Sequence, residues 1–358
     1  MFHVLKGDPT PMPRPPEAIV HGGDLDAARA AFPVAPEPWI DLSTGINPDP
    51  YPVREQDHTG WTRLPQSTQE QGLREAAACR YGADHSEMVV AAPGTQALIQ
   101  VIPRLLAPSR VAILSPTYAE HAAAWRREKH DVVEVADLSE TASARVVVVV
   151  NPNNPTGLVT PASELRHLSS SLQAQGGFLV VDEAFADIMP AEMSIIPALP
   201  RAAIVLRSFG KTYGLPGLRL GFAVTNVEVA TRLRDLLGPW SVSVPAMAVG
   251  TAALADDHWL KATAEKLERA GSRLDALLED CGCSVIGRTP LFRLASHRAA
   301  PAIAESLGRS GILVRRFRER DCWLRFGLPR CEEEWWRLEL ALNGTRTAPM
   351  QADKLQTP

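Results

Sequence analysis

The sequence predicts an α/β protein in which a mainly parallel sheet is covered by helices and a second, smaller α+β domain is attached. Three observations carry this. Between residues 88 and 224 short β-branched runs alternate with helical stretches, the pattern of strand–helix–strand units. Val146–Val150 is five valines in a row, apolar on both faces as a central buried strand should be. From about residue 285 the pattern changes to shorter segments that end in a helix near 331–342.

In order along the chain, the strands are expected at Met88–Ala91, Arg110–Leu114, Arg145–Val150, Phe178–Val181, Ala203–Leu206 and Leu220–Val224. Each is a short apolar run of the length strands take. Helices are expected over 68–81, 95–106, 119–128, 161–175, 226–237 and 256–280. A further strand is read at Gly311–Val314. The large domain is placed at 45–240, and the small one at 1–44 together with 241–345. The polar tail, 346–358, is expected to be disordered.

With 358 residues there is room for one large and one smaller domain. Hydrophobic content of 45% and 22% charged residues are those of an ordinary globular protein. A net charge of −4 gives no electrostatic case for nucleic acid or an anionic membrane. No apolar run approaches the ~20 residues of a membrane span, and the proline-rich residues 1–20 lack the apolar stretch of a signal peptide. Five cysteines, an odd number in a chain of this size, do not suggest a disulfide framework. Cys281-Gly-Cys283 has no matching pair at zinc spacing, so no metal is expected. A cytoplasmic location fits best.

The most informative segment is Ser208-Phe-Gly-Lys-Thr-Tyr-Gly-Leu-Pro-Gly-Leu-Arg-Leu-Gly221, directly after an expected strand. Gly210-Lys211-Thr212 looks like the end of a P-loop, but that motif needs glycine at 205, where Val205 stands. Nor do the glycines at 214, 217 and 221 make a dinucleotide fingerprint. A lysine with a serine three residues before it and an arginine eight after suits an aldehyde cofactor carrying a phosphate: Lys211 for a Schiff base, Ser208 and Arg219 for a dianion. That is the chemistry of pyridoxal phosphate.

Other candidates fall at strand ends, where ligands of open parallel sheets bind. Gly94-Thr95-Gln96 opens a helix whose first N–H groups would receive the phosphate, although a plain helix cap at Thr95 explains the segment equally well alone. Tyr118 can stack on the pyridine ring or be a core tyrosine. Asn154, in Asn151-Pro-Asn-Asn-Pro-Thr-Gly157, is placed on a turn where it can donate to the ring oxygen O3′. Asp182 ends a strand, and a carboxylate beside the pyridine nitrogen would keep it protonated. Without such a partner its burial would be costly.

Together these motifs resemble fold-type I pyridoxal-phosphate enzymes of the aspartate aminotransferase superfamily over roughly residues 40–340. The resemblance implies a mainly parallel seven-stranded sheet, and a homodimer with sites at the subunit interface. It gives Lys211 the Schiff-base and proton-transfer role, Asp182 the pyridinium, and Asn154 the O3′ oxygen. Tyr118 becomes the stacking aromatic; Ser208, Arg219 and the Gly94, Thr95 and Gln96 amides form the phosphate cup. Arg325, in Cys322-Trp-Leu-Arg-Phe-Gly327, is similar to the arginine that clamps the substrate carboxylate. Within the superfamily the histidinol-phosphate aminotransferase branch is nearest. His21-Gly-Gly-Asp24, Asp41-Leu-Ser-Thr-Gly-Ile-Asn-Pro48 and Phe185 in Asp-Glu-Ala-Phe resemble the L-threonine-O-3-phosphate decarboxylases of cobalamin biosynthesis. That likeness implies a small phosphorylated amino acid as substrate and decarboxylation as the reaction, with aminotransfer as the alternative. His21 is a candidate for the substrate phosphate or a structural histidine. Tyr51 is a candidate for the neighbouring subunit's cofactor phosphate. Arg315, Arg316 and Arg318 are read as a solvated face before they are read as phosphate ligands.

Overall fold

The computed structural model describes residues 19–53 and 59–346. The polar tail beyond Arg346 and the first 18 residues, assigned above to the small domain, lie outside the described residues. Two sheets organise the chain. Strand β1 is Ile40–Leu42; β2 to β8 are Val89–Ala92, Arg110–Leu114, Asp131–Val135, Val146–Val150, Phe178–Asp182, Ala203–Ser208 and Gly221–Thr225. Strands β9 to β12 are Ser284–Thr289, Phe292–Ser296, Ile312–Arg316 and Trp323–Phe326. The large sheet has seven strands in the order β2-β8-β7-β6-β5-β3-β4. Its strands β3 to β7 pair in parallel, while β8 runs antiparallel between β7 and β2.

All five valines of β5 are buried. Val147 and Val149 join the core on one side of the sheet; Val146 and Val148 join the core on the other. A strand with no polar face can sit only between two helical layers, which is why this run marks the centre. Edge strand β4 was not read from sequence. Its Asp131-Val-Val-Glu-Val135 mixes charged and apolar residues, as an edge open to water on one side allows. The helix expected over 95–106 is α-helical only from Thr95 to Val101 and continues as a 3-10 turn, Ile102–Leu105. Pro103 lacks the N–H that another α-turn would use.

The small sheet has the order β1-β11-β12-β10-β9. Strand β1 pairs in parallel with β11, so the N-terminal segment completes a sheet made otherwise by residues after 283. The helix Val244–Leu254, on the far side of the boundary expected at 240, packs on the helix Ser67–Tyr81 and adds Ala246, Met247 and Val249 to the large-sheet core. The long helix Asp257–Asp280 supplies Leu267, Leu274 and Leu278 to the small-sheet core.

The site follows from this topology. The strand order reverses between β3 and β5, because β3 leads outward to β4 while β5 leads to β6 and β7. A crevice opens beyond the carboxyl ends of strands at such a switch point. The loops after β3 and β5 are laced together there: Thr117 donates to Asn153 Oδ1 (2.6 Å), and Asn153 Nδ2 donates to Pro116 O (2.9 Å).

Candidate active site

The crevice holds a cavity of about 180 Å³. Its lining includes Gly94, Thr95, Gln96, Tyr118, Asn154, Asp182, Ser208, Lys211 and Arg219. All nine residues assigned from sequence to catalysis or to the subunit's own cofactor are among them, and Phe185 lines the cavity as well. The substrate candidates Arg325 and His21 stand at its border. Arg325 donates through Nη1 to Asn154 Oδ1 and through Nη2 to Ser43 O at 2.8 Å. His21 has its ring centroid 6.2 Å from that of Tyr118.

Each side chain is placed by its own element. Ser208 is the last residue of β7, and Lys211 lies in the single helical turn Phe209–Thr212 that follows. Arg219 takes a left-handed backbone conformation, φ +54°, unusual for a residue with a Cβ and held only where surroundings fix it. That turn lays its guanidinium against Gly94, where an added Cβ would lie 2.6 Å from Nη2. Gly221 is equally confined, since a Cβ there would sit 2.5 Å from the Thr95 amide nitrogen. The two glycines thus let the Gly94–Thr95 turn and Arg219 converge on one point.

Asp182 ends β6 and is buried. Its Oδ1 accepts from the Ala184 N–H (3.1 Å), and its Oδ2 lies 2.9 Å from His121 Nε2. His121, also buried, was missed in the sequence; its one signal is its place in the first turn of the helix Glu120–Arg127, three residues after Tyr118. Also missed was an ion cluster beneath the site. Arg207 Nη2 pairs with Glu183 (2.9 Å) and Nη1 with Asp187 (3.1 Å). Glu183 directly follows Asp182 and Arg207 directly precedes Ser208, so the cluster ties the ends of β6 and β7 together.

Because Arg325 donates to Asn154 Oδ1, the Asn154 amide nitrogen is left to donate elsewhere, which also fixes the orientation of the amide. Phe185 carries no hydroxyl; its ring lies 5.6 Å from Lys211 Nζ and packs edge-on against Phe292. Tyr51 does not line its own pocket. Its hydroxyl donates to Asp256 Oδ2 (3.3 Å), and its ring packs edge-on against Tyr213 and Trp259. Of the basic cluster, Arg315 faces Arg325 across the β11–β12 ladder and is half-buried, whereas Arg316, next along the strand, is exposed.

Residues 37–346 match the family described as aminotransferase class I and II. The chain belongs to this family. It is 43% identical over 330 residues to a threonine-phosphate decarboxylase of Pseudomonas aeruginosa, covering 91% of this chain and 98% of that one. It is 42% identical to a threonine-phosphate decarboxylase of a Sinorhizobium species, over 87% and 93% of the two chains. Among solved structures, a histidinol-phosphate aminotransferase of Sinorhizobium meliloti in complex with pyridoxal 5′-phosphate superposes with a TM-score of 0.75. At 21% identity, with 89% and 93% of the chains covered, that likeness shows the fold: fold-type I.

The family's cofactor, pyridoxal 5′-phosphate, fits the residues present. The cradle that a Cβ at 94 or 221 would fill is lined by Ser208, Arg219 and the Thr95 and Gln96 amides, a donor set for a phosphate. The one lysine of the lining, Lys211, shares the cavity with a buried carboxylate, Asp182, of the kind that suits a ring nitrogen. Burial lowers the Lys211 pKa to about 8, with the Arg325 and Arg219 charges pushing the same way and Asp182 opposing. The unprotonated amine is the nucleophile toward an aldehyde. Cofactor uptake by the cofactor-free protein is therefore expected to quicken about tenfold per pH unit up to about pH 8 and then level off. Stopped-flow absorbance over that range checks this; a rate still climbing toward pH 10 would mean an unperturbed lysine. Tyr118 is pushed up to about 12, first by burial and then by Glu120 and Asp182, so it remains a neutral hydrogen-bond donor, here to Gln96 Oε1 at 3.2 Å.

Proposed function

We propose that this enzyme decarboxylates L-threonine O-3-phosphate, releasing CO2 and (R)-1-amino-2-propanol O-2-phosphate for cobalamin biosynthesis, in the cytoplasm. The observation that carries the reading is the 43% identity, over nearly the whole of both chains, to a protein named for that reaction. Bound pyridoxal phosphate supplies an aldehyde for the substrate amine and an electron-withdrawing ring that accommodates negative charge at Cα. The residues of this chain do the rest. Ser208, Arg219 and the Thr95 and Gln96 amides hold the cofactor phosphate, and Asn154 donates to O3′. Asp182, oriented by His121, keeps a proton on the ring nitrogen. Lys211 is the group that returns a proton to Cα once CO2 has left.

Arg325 is assigned to the substrate carboxylate. Its pKa is pushed down to about 10, by burial first and by Arg315 second, so it is still a cation at neutral pH. Arg315, on the same face of the small sheet, and His21 are assigned to the substrate phosphate. A phosphate held on that side would set the carboxylate bond, rather than the Cα–H bond, perpendicular to the ring plane. That orientation separates decarboxylation from aminotransfer.

A second copy of the chain is part of the reading. Tyr51, held away from its own pocket, is assigned to the cofactor phosphate of the partner subunit, and a dimer would cover the exposed Val53, Trp61 and Leu64. Sedimentation finding a fully active monomer would remove that assignment.

The test of the reaction is direct. The cofactor-loaded enzyme is incubated with L-threonine O-3-phosphate without keto acid, and CO2 and amine product are measured. The expected result is one CO2 per aminopropanol phosphate. No CO2, but glutamate from histidinol phosphate and 2-oxoglutarate, would make it an aminotransferase.

A further inference from the structure

At the mouth of the pocket the segment Val20–Asp24 is fastened from several directions. Arg315 Nη2 donates to Val20 O (2.5 Å), and the Gly23 N–H donates to Ser43 Oγ (2.7 Å). Gly22 is pressed so closely on Ser43 that a Cβ would lie 2.5 Å from its carbonyl oxygen. From the large-domain side the tie is Glu120. Its Oε1 lies 3.0 Å from His21 Nε2, and its Oε2 accepts from Gln96 Nε2 (2.8 Å) and Gln100 Nε2 (3.4 Å). The Glu120 side chain is only 12% exposed, whereas His21 is 47% exposed.

A carboxylate this close to an anion-binding cup needs a compensating reason. Alone, it would repel a phosphate and be costly to desolvate. Here N–H donors from three parts of the chain occupy its oxygens: the N-terminal segment, the cofactor cup and the next turn of the cup's helix. It also commits one nitrogen of His21. With Nε2 directed at Glu120, Nδ1 is the nitrogen left for a ligand. The contacts run on from Gln96 Oε1 to the Tyr118 hydroxyl, so the same carboxylate links the histidine to a wall of the cofactor pocket.

We propose that Glu120 is a positioning residue for substrate recognition: it holds His21 beside Tyr118 at the pocket mouth so that the imidazole meets the phosphate of an amino acid phosphate. This rests on the reading of the substrate given above. Glu120 touches neither substrate nor cofactor, and it acts through His21. The acidic residue thus serves anion binding by fixing the imidazole, while its own charge is taken up by its ties.

The test is a double-mutant cycle on the cofactor-loaded enzyme with Glu120→Gln, His21→Ala and the double variant, and with Glu120→Asp as the conservative control. L-Threonine O-3-phosphate turnover gives KM and kcat, and cofactor fluorescence without substrate gives cofactor affinity. Glu120→Gln is expected to raise KM about tenfold, with kcat within about threefold and cofactor affinity unchanged. It should add nothing in the His21→Ala background, and Glu120→Asp should recover part of the loss. The inference is overturned if Glu120→Gln leaves KM unaltered, if its effect persists in full without His21, or if cofactor affinity falls in step with KM, which would place the role at Gln96. A wild-type enzyme that neither binds nor turns over threonine phosphate removes the substrate reading itself, and this inference with it.

Discussion

Replacing Lys211 with alanine is expected to abolish decarboxylation, lowering turnover by at least ~10⁴-fold, or about 5.5 kcal/mol of barrier. Two losses coincide. On the proposed assignment, the covalent hold on the cofactor aldehyde would disappear, and so would the amine that moves a proton at Cα. Among the described residues no other lysine lines the pocket: Lys129, Lys261 and Lys266 are absent from it, and Lys266 is paired with Asp49. The fold should survive, because the side chain ends in the cavity and is not packed in the core. Purified Lys211→Ala protein should show native far-ultraviolet dichroism, no absorbance from lysine-bound cofactor, and no CO2 release. Turnover near the wild-type rate would mean that another group carries the chemistry.

Replacing Arg207 with leucine is expected to cost the fold about 3–5 kcal/mol, because it strands two buried carboxylates. The side chains of Glu183, Asp187 and Arg207 are 0%, 1% and 6% exposed, so water cannot substitute for the lost cation. Burial pushes the pKa of both carboxyl groups up, with Arg207 opposing. Burial alone would lower the Arg207 pKa, but Glu183 and Asp187 more than offset it and leave it raised. In the variant the Arg207 charge no longer opposes burial, although Ser194 and the Ile195 N–H still pull Glu183 down, as Arg80 and Thr212 do Asp187, so the net upward push on the carboxyls grows. Carboxyls whose folded pKa exceeds the unfolded value favour the folded state at low pH and lose that contribution as pH rises through the folded pKa. The stability deficit should therefore be smaller near about pH 5 than near about pH 8. Urea unfolding at both pH values measures it; a deficit under about 1 kcal/mol at the higher pH would show that the cluster is dispensable. Activity should fall with stability, since Asp182 and Ser208 are the chain neighbours of Glu183 and Arg207.

Much of the fold was legible because its strands are short, β-branched and separated by helical stretches. The five-valine strand, the Asp182 strand and the strand before Ser208 sit within a residue or two of where their apolar runs place them. Strand β4 was not legible, because an edge strand needs no continuous apolar run. The helix Val244–Leu254 is apolar nearly all round, with eight of its eleven residues buried, so periodicity gave it no readable face.

For the site, the same division holds. Lys211, Asp182, Asn154, Ser208 and Arg219 each sit on a motif at a strand end, and such motifs can be read one at a time. His121, Glu120 and the Arg207 cluster belong to no motif. What makes them matter is the partner they meet across 61, 99 and 24 residues of chain: Asp182 for His121, His21 for Glu120, and Glu183 for Arg207. Read alone, Arg315 was one basic residue among three neighbours, and pairing with Arg325 across β11 and β12 set it apart. The sequence by itself determined most of the sheet and the cofactor chemistry, and it pointed to nine residues that line the cavity. Only the tertiary structure decided which charged and polar groups orient those residues, because distances and desolvation across long chain separations set such contacts, and neither is encoded in local spacing.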